Sequence, residues 1–392
     1  MDPKFRKAYN AAFTAEKYAG LLDYMESRLG YPVDFRLSET PVFLTEELTG
    51  EVVRAGWEIA RTVTSPEYLA CADRAIPPGL AVPNEDAHTT FLQVDFALVR
   101  DEHGRIVPRL IELQGFPSLY AFQWLLEKAF RETFGISDEL VPYFEGLDEE
   151  SYIDVLREVI VDGSDPETVV LLEIEPEKQK TRADFTCTER LLGVPSVDLR
   201  EVIERGGKLF YRREGRELPI QRIYNRVIFD ELQRKGLPDD LFRKELDVTW
   251  VGHPNWYFKI SKWSLPFLDS PYAPPARFLS AVSELPEDLE NYVLKPLYSF
   301  AGLGVEVAPT AERLRSIQDR ESFILQRKVE YAPCVQTPDI PAKAEIRMMF
   351  VWKDGLRLIN NLVRMSKGPM MGVDFNKDKT WIGASLGYHP AV

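Results

Sequence analysis

The sequence predicts an α/β (α+β) fold, and three features of the chain lead to this prediction. Residues 1–75 have helical apolar spacing, residues 167–199 follow a strand–helix–strand pattern, and two segments alternate as hairpins, at 91–114 and 344–365. At 392 residues the chain is long enough for roughly two to three domains. Hydrophobic residues make up 45% of it and charged residues 28%, which is typical of a globular protein with a packed core.

The N-terminal region is predicted to be helical. Its first helix carries an apolar stripe that ends at Gly30-Tyr-Pro32, and Thr45 begins a second helix through Trp57 and Ile59. A further helix is expected from residue 118 to residue 134. The residues of the first stripe are Tyr9, Phe13, Leu21, Leu22, Met25 and Leu29.

Residues 91–114 are predicted to form a hairpin that places Asp95 directly across from Glu112. Facing carboxylates are destabilising unless a cation lies between them. Carboxylate oxygens, together with an amide oxygen such as that of Gln114, suit Mg²⁺. The alternative is a solvated hairpin face with incidental acids, and Pro108 indicates that the second strand is bulged or lies at a sheet edge.

The second half of the chain is predicted to contain a β-α-β unit followed by hairpins. The unit consists of a strand (168–174), a helix (183–192) and a strand (194–199). Asp354-Gly355 is typical of a two-residue type I′ turn between strands 344–352 and 356–365. Further strands are expected at 208–213, 218–227, 291–297, 305–308 and 322–329.

Composition argues against several classes of function. A net charge of −14 and a pI near 5.0 argue against a nucleic-acid-binding protein. No apolar run approaches the length of a membrane span, so no membrane partner is expected. The three cysteines are far apart and form no C-x-x-C pair, which argues against zinc ribbons and disulfide scaffolds and fits a reducing cytoplasm. The oligomeric state is left open.

Lys295 is a candidate phosphate-binding residue. It lies in an apolar strand, 292–296, that leads into a loop with Gly302 and Gly304. Backbone N–H groups of such a loop can hold phosphates, and the lysine adds a point charge. The loop is not a Walker A motif, and the alternative is an ordinary hairpin with a surface lysine.

Arg347 and Arg364 are candidates for a second phosphate-binding element. The hairpin pairs Glu345 with Arg364 and puts Arg347 on the same face, where two guanidinium groups can grip a polyphosphate. A solvated Glu345–Arg364 salt bridge is the alternative. The glycine-rich loop 366–372 either closes over a ligand or is a tail loop. Asp374 and Asn376 beyond it carry oxygens of the kind that bind metal ions, and the alternative is that they face solvent.

The motifs, taken in order, resemble the glutathionylspermidine-synthase-like branch of the ATP-grasp superfamily, whose ATP-grasp domain is circularly permuted. Members of that family show an R-x-D-F pattern, a turn, and a strand that ends E-x-N-x-x-x-P-S. A W-x-x-x-K segment, a V-x-K-P strand with a glycine loop and a Q-x-x-V strand follow. The similarity covers about residues 40–390 and is thin over 120–250. The matching segments are Gln93-Val-Asp95-Phe, His103-Gly104, Glu112-Leu-Gln114-Gly-Phe-Pro-Ser118, Trp256-Tyr-Phe-Lys259-Ile-Ser-Lys262-Trp-Ser-Leu-Pro266, Val293-Leu-Lys295-Pro296, Ala301-Gly302-Leu-Gly304 and Leu325-Gln326-Arg-Lys-Val329.

The resemblance implies an ATP-grasp fold, in which two antiparallel sheets hold a nucleotide between them. It also implies a carboxylate–amine ligase that works through an acyl phosphate, with ATP and Mg²⁺ as cofactors. The substrates would be a small-molecule carboxylic acid and an amine. By resemblance, Mg²⁺ would bind at Asp95, Glu112 and Gln114, the nucleotide at Lys259, Lys295, Gly302, Gly304, Gln326 and Val329, and the developing charge at Arg347 and Arg364.

The motifs and element patterns together divide the sequence into four predicted regions. A helical N-terminal region (1–88) is followed by a metal-binding hairpin with helices of the ATP-grasp core (89–165). A small α/β subdomain (166–248) and an ATP-grasp nucleotide-binding region (249–392) complete the chain.

Two residues depart from the family pattern. Gln114 replaces an Asn and keeps the carbonyl oxygen on a longer side chain. Gln93 replaces an Arg and removes a cation, for which Arg347 or Arg364 is the candidate substitute. These departures favour a rival interpretation, a nucleotide-binding protein with this fold but impaired turnover. A third interpretation is an ATP-dependent kinase that stops at phosphorylation.

The predicted Asp95–Glu112 pair also leads to an expectation about stability. Without a metal ion, two facing carboxylates raise at least one carboxyl pKa. The variant Glu112→Gln is therefore expected to leave the metal-free protein at least as stable as the wild type.

Overall fold

The computed structural model describes residues 1–299, 302–371 and 376–391. Within these ranges, no helix is both long and apolar enough to cross a membrane. The helices are α1 (Pro3–Ala12), α2 (Ala15–Leu29), α3 (Glu46–Val63), α4 (Pro66–Ala72), α5 (Tyr120–Phe134), α6 (Glu149–Ile160), α7 (Arg182–Leu192), α8 (Phe229–Lys235), α9 (Trp256–Lys259) and α10 (Ala311–Ser316). The strands are β1 (Val42–Phe43), β2 (Phe91–Arg100), β3 (Ile106–Gln114), β4 (Leu140–Val141), β5 (Val169–Glu173), β6 (Ser196–Asp198), β7 (Ile203–Arg205), β8 (Lys208–Arg213), β9 (Arg216–Ile220), β10 (Arg222–Asn225), β11 (Thr249–Val251), β12 (Ala276–Phe278), β13 (Tyr292–Pro296), β14 (Glu306–Val307), β15 (Phe323–Arg327), β16 (Pro333–Val335), β17 (Ala342–Trp352), β18 (Leu356–Ser366), β19 (Gly383–Ser385) and β20 (Gly387–Pro390).

Two antiparallel sheets form the part of the molecule that contains the candidate site. The large sheet has the strand order β19-β18-β17-β2-β3, with β16 paired to the start of β17. The small sheet has the order β12-β15-β13-β14. The Lys295 ammonium on β13 donates to the carbonyl of Ile111 on β3 at 2.8 Å and so links the two sheets. The predicted α+β fold with a pair of antiparallel sheets is confirmed.

A separate, parallel sheet has the strand order β11-β10-β5-β6. The predicted β-α-β unit is confirmed as β5, α7 and β6. The single strand predicted at 218–227 is wrong, because the chain leaves the β8–β9 hairpin at Gln221 and enters the parallel sheet as β10. The hairpins predicted to follow the β-α-β unit do not begin with the next strand after β10, because β11 extends the parallel sheet.

The N-terminal stripe forms two helices and not one. The hydroxyl oxygen of Thr14 accepts a hydrogen bond from the backbone N–H of Lys17 and so begins α2, while α1 ends before Phe13. The buried face of α2 carries Leu21, Met25 and Leu29, which are four residues apart. Leu22 lies off that face and is 40% exposed, although the stripe predicted it to be buried. The predicted end at Gly30 is confirmed, with a left-handed φ of 88°.

The two predicted hairpins of the large sheet are confirmed, with one change in a turn. β3 is an edge strand, and Asp95 pairs with Glu112 while Phe96 pairs with Leu110, so Ile111 is an extra, bulged residue. This is the irregularity that Pro108 indicated. The β17–β18 hairpin closes with three residues, 353–355, and not with the two of a type I′ turn.

The packing of the large sheet follows the alternation of its strands. Leu92, Val94 and Phe96 of β2 face a hydrophobic core shared with α3, whereas Gln93 and Asp95 face the other way. β2 and β17 pair with each other although they come from two of the predicted regions, 89–165 and 249–392. The four regional boundaries stay predictions.

Candidate functional site

One face of the large sheet carries a row of polar side chains that we term the polar face. Side chains two residues apart on a strand point the same way, so the strand register brings residues from four strands together. Asp95 pairs with Arg347 on one side and with Glu112 on the other, and Glu345 pairs with Arg364. The polar face consists of Gln93, Asp95, Glu112, Gln114, Glu345, Arg347 and Arg364.

Asp95 is at the centre of the polar face and is held by two arginines. Arg347 donates from Nε to Oδ1 at 2.6 Å and from Nη2 to Oδ2 at 2.7 Å. Arg364 donates from Nη2 to the same Oδ2 at 2.8 Å. Asp95 is 1% exposed, so its charge is neutralised by these groups and not by water.

Glu345 is the second carboxylate that holds Arg364. It accepts hydrogen bonds from Arg364 Nη2 and from the Tyr331 hydroxyl. Burial raises the pKa of the Glu345 carboxyl, although Arg364 opposes this. Burial alone would lower the pKa of the Arg364 guanidinium, but Glu345 and Asp95 outweigh it and raise that pKa. The predicted Glu345–Arg364 pair is confirmed. Its acid is buried, since Glu345 is 3% exposed.

Glu112 lies across from Asp95 and is also close to cations. The ammonium of Lys262 lies 3.4 Å from Glu112 Oε2 and donates to the carbonyl of Ser299 at 2.8 Å. Burial would raise the pKa of Glu112, but Lys262 and Arg364, with Lys295 and Arg347, lower it to about 2. The hairpin alone predicts a raised pKa for at least one of the two facing acids, whereas that of Glu112 is lowered, because the cations from outside the hairpin also act on it.

Lys295 enters the site from the small sheet. It is 7% exposed, and its ammonium bonds to the carbonyl of Ile111, which is available because Ile111 is the bulged residue of β3. Burial lowers the pKa of Lys295 to about 8, although Glu112 opposes this. The small sheet thus places in the site a lysine whose protonation depends on a neighbouring anion. A phosphate group could serve as such an anion.

The two lysines of the tryptophan segment have different roles in the structure. Lys259 pairs with Glu85 and lies 2.8 Å from Asp73, and is thereby tied to the loop that precedes β2. Burial lowers the pKa of Lys259, but its bonds to these two acids outweigh burial and raise it. Lys262, three residues on, is the lysine that contacts Glu112. The family resemblance gives the nucleotide-binding role to Lys259, which stays a prediction, and gives no role to Lys262.

The loop after β3 is held close to the tryptophan segment, and this fixes the end of the polar face. The backbone N–H of Gly115 donates to the carbonyl of Ile260 at 2.7 Å. A Cβ at Gly115 would lie 2.7 Å from the carbonyl oxygen of Trp256, so only glycine allows this approach. The glycine that follows Gln114 therefore allows the end of β3 to lie against the segment that carries Lys262.

Gln93 and Gln114 bond to each other at the end of the polar face. Gln114 Nε2 donates to Gln93 Oε1 at 2.6 Å and to the carbonyl of Phe116 at 3.1 Å, which turns the Gln114 carbonyl oxygen away from these partners. Arg347 Nη1 also donates to Gln93 Oε1, at 3.0 Å. An arginine thus lies beside the position where the family pattern has one, but it comes from β17.

The donor set fits Mg²⁺ at Glu112 and Gln114 but not at Asp95. Glu112 is ionised, its side chain is 27% exposed, and the Gln114 carbonyl oxygen makes no hydrogen bond within the described ranges. Mg²⁺ commonly takes one or two protein oxygens and completes its shell with water and phosphate. Asp95 is already in contact with two guanidinium groups, which repel a cation. No group of three or more acidic, His or Cys side chains suited to a metal occurs in the described part of the chain.

The remaining predicted nucleotide-binding residues lie on the small sheet and the segment after it. Gly302 and Gly304 both have left-handed φ values, 75° and 71°, whereas Ala301, Gly372 and Asp374 lie outside the described residues. Gln326 is 2% exposed, and its amide nitrogen has no partner among the described residues. Apolar side chains lie next to the polar face in a small cluster, formed by Ala97, Val99, Val107, Ile111, Val329 and Tyr331.

The loop 366–371 after β18 is anchored to the chain beyond it. The side-chain oxygen of Asn376 accepts from the Ser366 hydroxyl and from the backbone N–H groups of Lys367 and Gly368, at 2.9–3.0 Å. This anchoring was not apparent in the sequence. Closure of this loop over a ligand stays a prediction.

Comparison with known proteins shows the fold of the chain. No family model and no curated protein matches the sequence. The structure is similar to that of a glutathione synthetase-like effector (GSS30) from Globodera pallida, solved in its apo form. The TM-score is 0.60 over 100% of this chain and 98% of that chain, at 9% sequence identity. The chain therefore has an α+β, ATP-grasp-like fold that it shares with a glutathione synthetase-like protein.

Proposed function

We propose that the protein is an ATP-dependent ligase that joins a small-molecule carboxylic acid to an amine. The observation that carries this proposal is the convergence of four cations from both antiparallel sheets and the segment between them on the polar face. Lys295 comes from the small sheet, Lys262 from the tryptophan segment, and Arg347 and Arg364 from the large sheet. Such a site suits a polyphosphate and the charge that develops when its terminal phosphoryl group is transferred.

The proposed reaction has two steps. A carboxylate oxygen of the acid attacks the γ-phosphorus of ATP, the bond to the β-phosphate oxygen breaks, and ADP leaves. The nitrogen of the amine then attacks the acyl carbon, phosphate leaves, and the amine gives up a proton to complete the amide. Both steps depend mainly on positioning and on charge neutralisation.

The residues of the site have distinct proposed roles. Lys295 and the loop that carries Gly302 and Gly304 hold the phosphates, and Arg364 faces the transferred group with a side chain that is 39% exposed. Glu112 and Gln114 would hold Mg²⁺, which when bound neutralises phosphate charge. The apolar cluster with Val329 and Tyr331 fits a nucleobase by its burial, and so does the amide nitrogen of Gln326, which has no partner in the described part of the chain.

A second candidate function is nucleotide binding without turnover. It is favoured by the contacts of Asp95, whose carboxylate is committed to Arg347 and Arg364 and is not open to a metal. If Asp95 is needed as a metal ligand for catalysis, a chain with this arrangement binds nucleotide but does not transfer the phosphoryl group.

ADP release with a panel of acids and amines tests the proposal. A ligase releases ADP only when both an acid and an amine are present with Mg²⁺, and EDTA abolishes the release. ADP release with an acid alone, at an unchanged rate when amines are added, would identify a kinase instead. ATP binding without ADP release under any condition would favour the second candidate function.

Nucleotide affinity should fall as the pH rises through about 8, because Lys295 loses its charge there. A lowered lysine pKa means that the protonated form, which attracts phosphate, predominates only below about 8. Binding should therefore take up a proton near pH 8.5, which calorimetry detects as heat that depends on the ionisation enthalpy of the buffer. The groups that also act on Lys295 are Glu112, Lys262, Glu345 and Asp95.

The variant Lys295→Met identifies the residue responsible. It should bind ATP about tenfold more weakly at pH 7, the value of one charge-assisted hydrogen bond, and should show no proton uptake. Lys353→Met is a matched control, because that lysine lies in the β17–β18 turn and pairs with Asp162 at 2.6 Å. Wild-type affinity in Lys295→Met would show that the lysine does not contact phosphate.

A further inference from the structure

We propose that Asp95 is a positioning residue that holds Arg347 and Arg364 as a pair, and that this pair binds an oxyanion without a divalent cation. The proposal assigns Asp95 a role different from the metal ligand that the family resemblance implies. It rests on the proposed function only for the identity of the oxyanion, a phosphoryl or acyl-phosphate group.

The first argument is geometric. Asp95 accepts three hydrogen bonds from the two guanidinium groups, at 2.6–2.8 Å, and Arg347 binds it in a bidentate manner. Bidentate pairs fix the plane of the guanidinium as well as its position. Asp95 therefore sets the orientation of both arginines, and Glu345 holds Arg364 from the other side.

The second argument concerns the donors that remain. Within the described ranges, Arg364 uses only Nη2 for Asp95 and Glu345, and its Nε and Nη1 groups bond to no protein atom. Arg347 is more buried, with a side chain that is 10% exposed, and shares Nη1 with Gln93. In this pair Arg347 is buried, whereas Arg364 is accessible and has N–H groups that can bind an oxyanion.

The third argument is the charge of the site. Four cations act on the polar face, whereas Asp95, Glu112 and Glu345 contribute three carboxylates, so the site carries a net positive charge when all are ionised. Each carboxylate is in contact with a cation of the protein itself. A site with this balance attracts an anion before any metal ion is added.

Inorganic pyrophosphate in EDTA is the probe that tests the inference. Calorimetry at pH 7 should detect binding by the wild type, and Asp95→Asn should bind about tenfold more weakly, because the arginines lose their orientation. Charge counting alone predicts the opposite, since Asp95→Asn removes a negative charge from an anion site. Tighter binding by Asp95→Asn, or no binding of pyrophosphate by the wild type, would overturn the inference.

Glu39→Gln is the matched control, because it removes a buried carboxylate that pairs with an arginine, Arg36, and is not part of the polar face. It should bind pyrophosphate as tightly as the wild type. Weakening equal to that of Asp95→Asn would show a general loss of structure and would overturn the positioning role.

Arg347→Lys keeps the inference testable if Asp95→Asn does not fold. It retains the charge but cannot make the bidentate pair, so pyrophosphate should bind more weakly than to the wild type. Equal affinity would overturn the inference. The assay contains no ATP, acid or amine, so failure of the ligase proposal shows separately, as pyrophosphate binding without ADP release.

Discussion

Arg347→Met should destabilise the protein by about 3 kcal/mol, since it leaves the buried charge of Asp95 without its bidentate partner. Asp95 is 1% exposed and cannot recover water, and Arg364 alone supplies one of the three original hydrogen bonds. We place the effect at the lower end of the range for broken buried pairs because that bond remains. Urea unfolding at pH 7, followed by circular dichroism, measures the change.

Two further variants make this prediction specific. Arg313→Met removes an arginine from an exposed pair with Glu306, at 2.7 Å, and should leave the free energy of unfolding close to that of the wild type. The double variant Arg347→Met, Asp95→Asn should be less destabilised than the sum of the two single variants, because the second change removes the stranded charge. Simple additivity would show that Arg347 and Asp95 do not stabilise each other.

The residue pairings of the two hairpins can be predicted from the sequence, because side chains alternate between the two faces of a strand. The pairings of Asp95 with Glu112 and of Glu345 with Arg364 followed from alternation and from turn residues, and both are confirmed. A shift of one residue would have moved every polar side chain into the core, so the register was strongly constrained.

Other features depend on contacts that no local pattern contains. Lys259 and Lys262 are equally cationic in sequence, and only the tertiary structure shows that Lys262 meets Glu112 while Lys259 contacts other acids. The boundary between α1 and α2 was missed because apolar spacing continued across it, although Thr14 carried a capping signal. The strand break at Gln221 was missed because both pieces are strands and only their partners differ.

For the effect of Glu112 on stability, the contacts in the structure favour the opposite sign to that given by the local argument. From the hairpin alone, Glu112 meets a like charge, and its removal should stabilise the protein. In the structure the neighbours that act on it most strongly are Lys262 and Arg364, which are 150 or more residues away in the chain. The electrostatics of a site assembled from distant segments cannot be read from one of those segments.

Glu112→Gln should therefore destabilise the metal-free protein at pH 7, by about 1–2 kcal/mol, and should abolish ADP release. The pKa of Glu112 is lowered from 4.5 to about 2 in the folded protein, so its ionised form stabilises the fold above pH 4.5. This stabilisation is lost as the pH falls from 4.5 through 2, where the folded protein also takes up the proton. The difference in unfolding free energy between wild type and variant should be constant above pH 5 and vanish near pH 2.

Glu345→Gln is the comparison that isolates the cause. It removes the same charge from the same face, but burial raises the pKa of Glu345, so its ionised form costs free energy as the pH rises above the usual value of 4.5. Glu345→Gln should thus lose less stability at pH 7 than Glu112→Gln, and relative to the wild type it should gain stability as the pH rises. Urea unfolding between pH 3 and pH 8 in EDTA measures both. If Glu112→Gln is as stable as the wild type throughout, the cations assigned to the polar face do not act on Glu112.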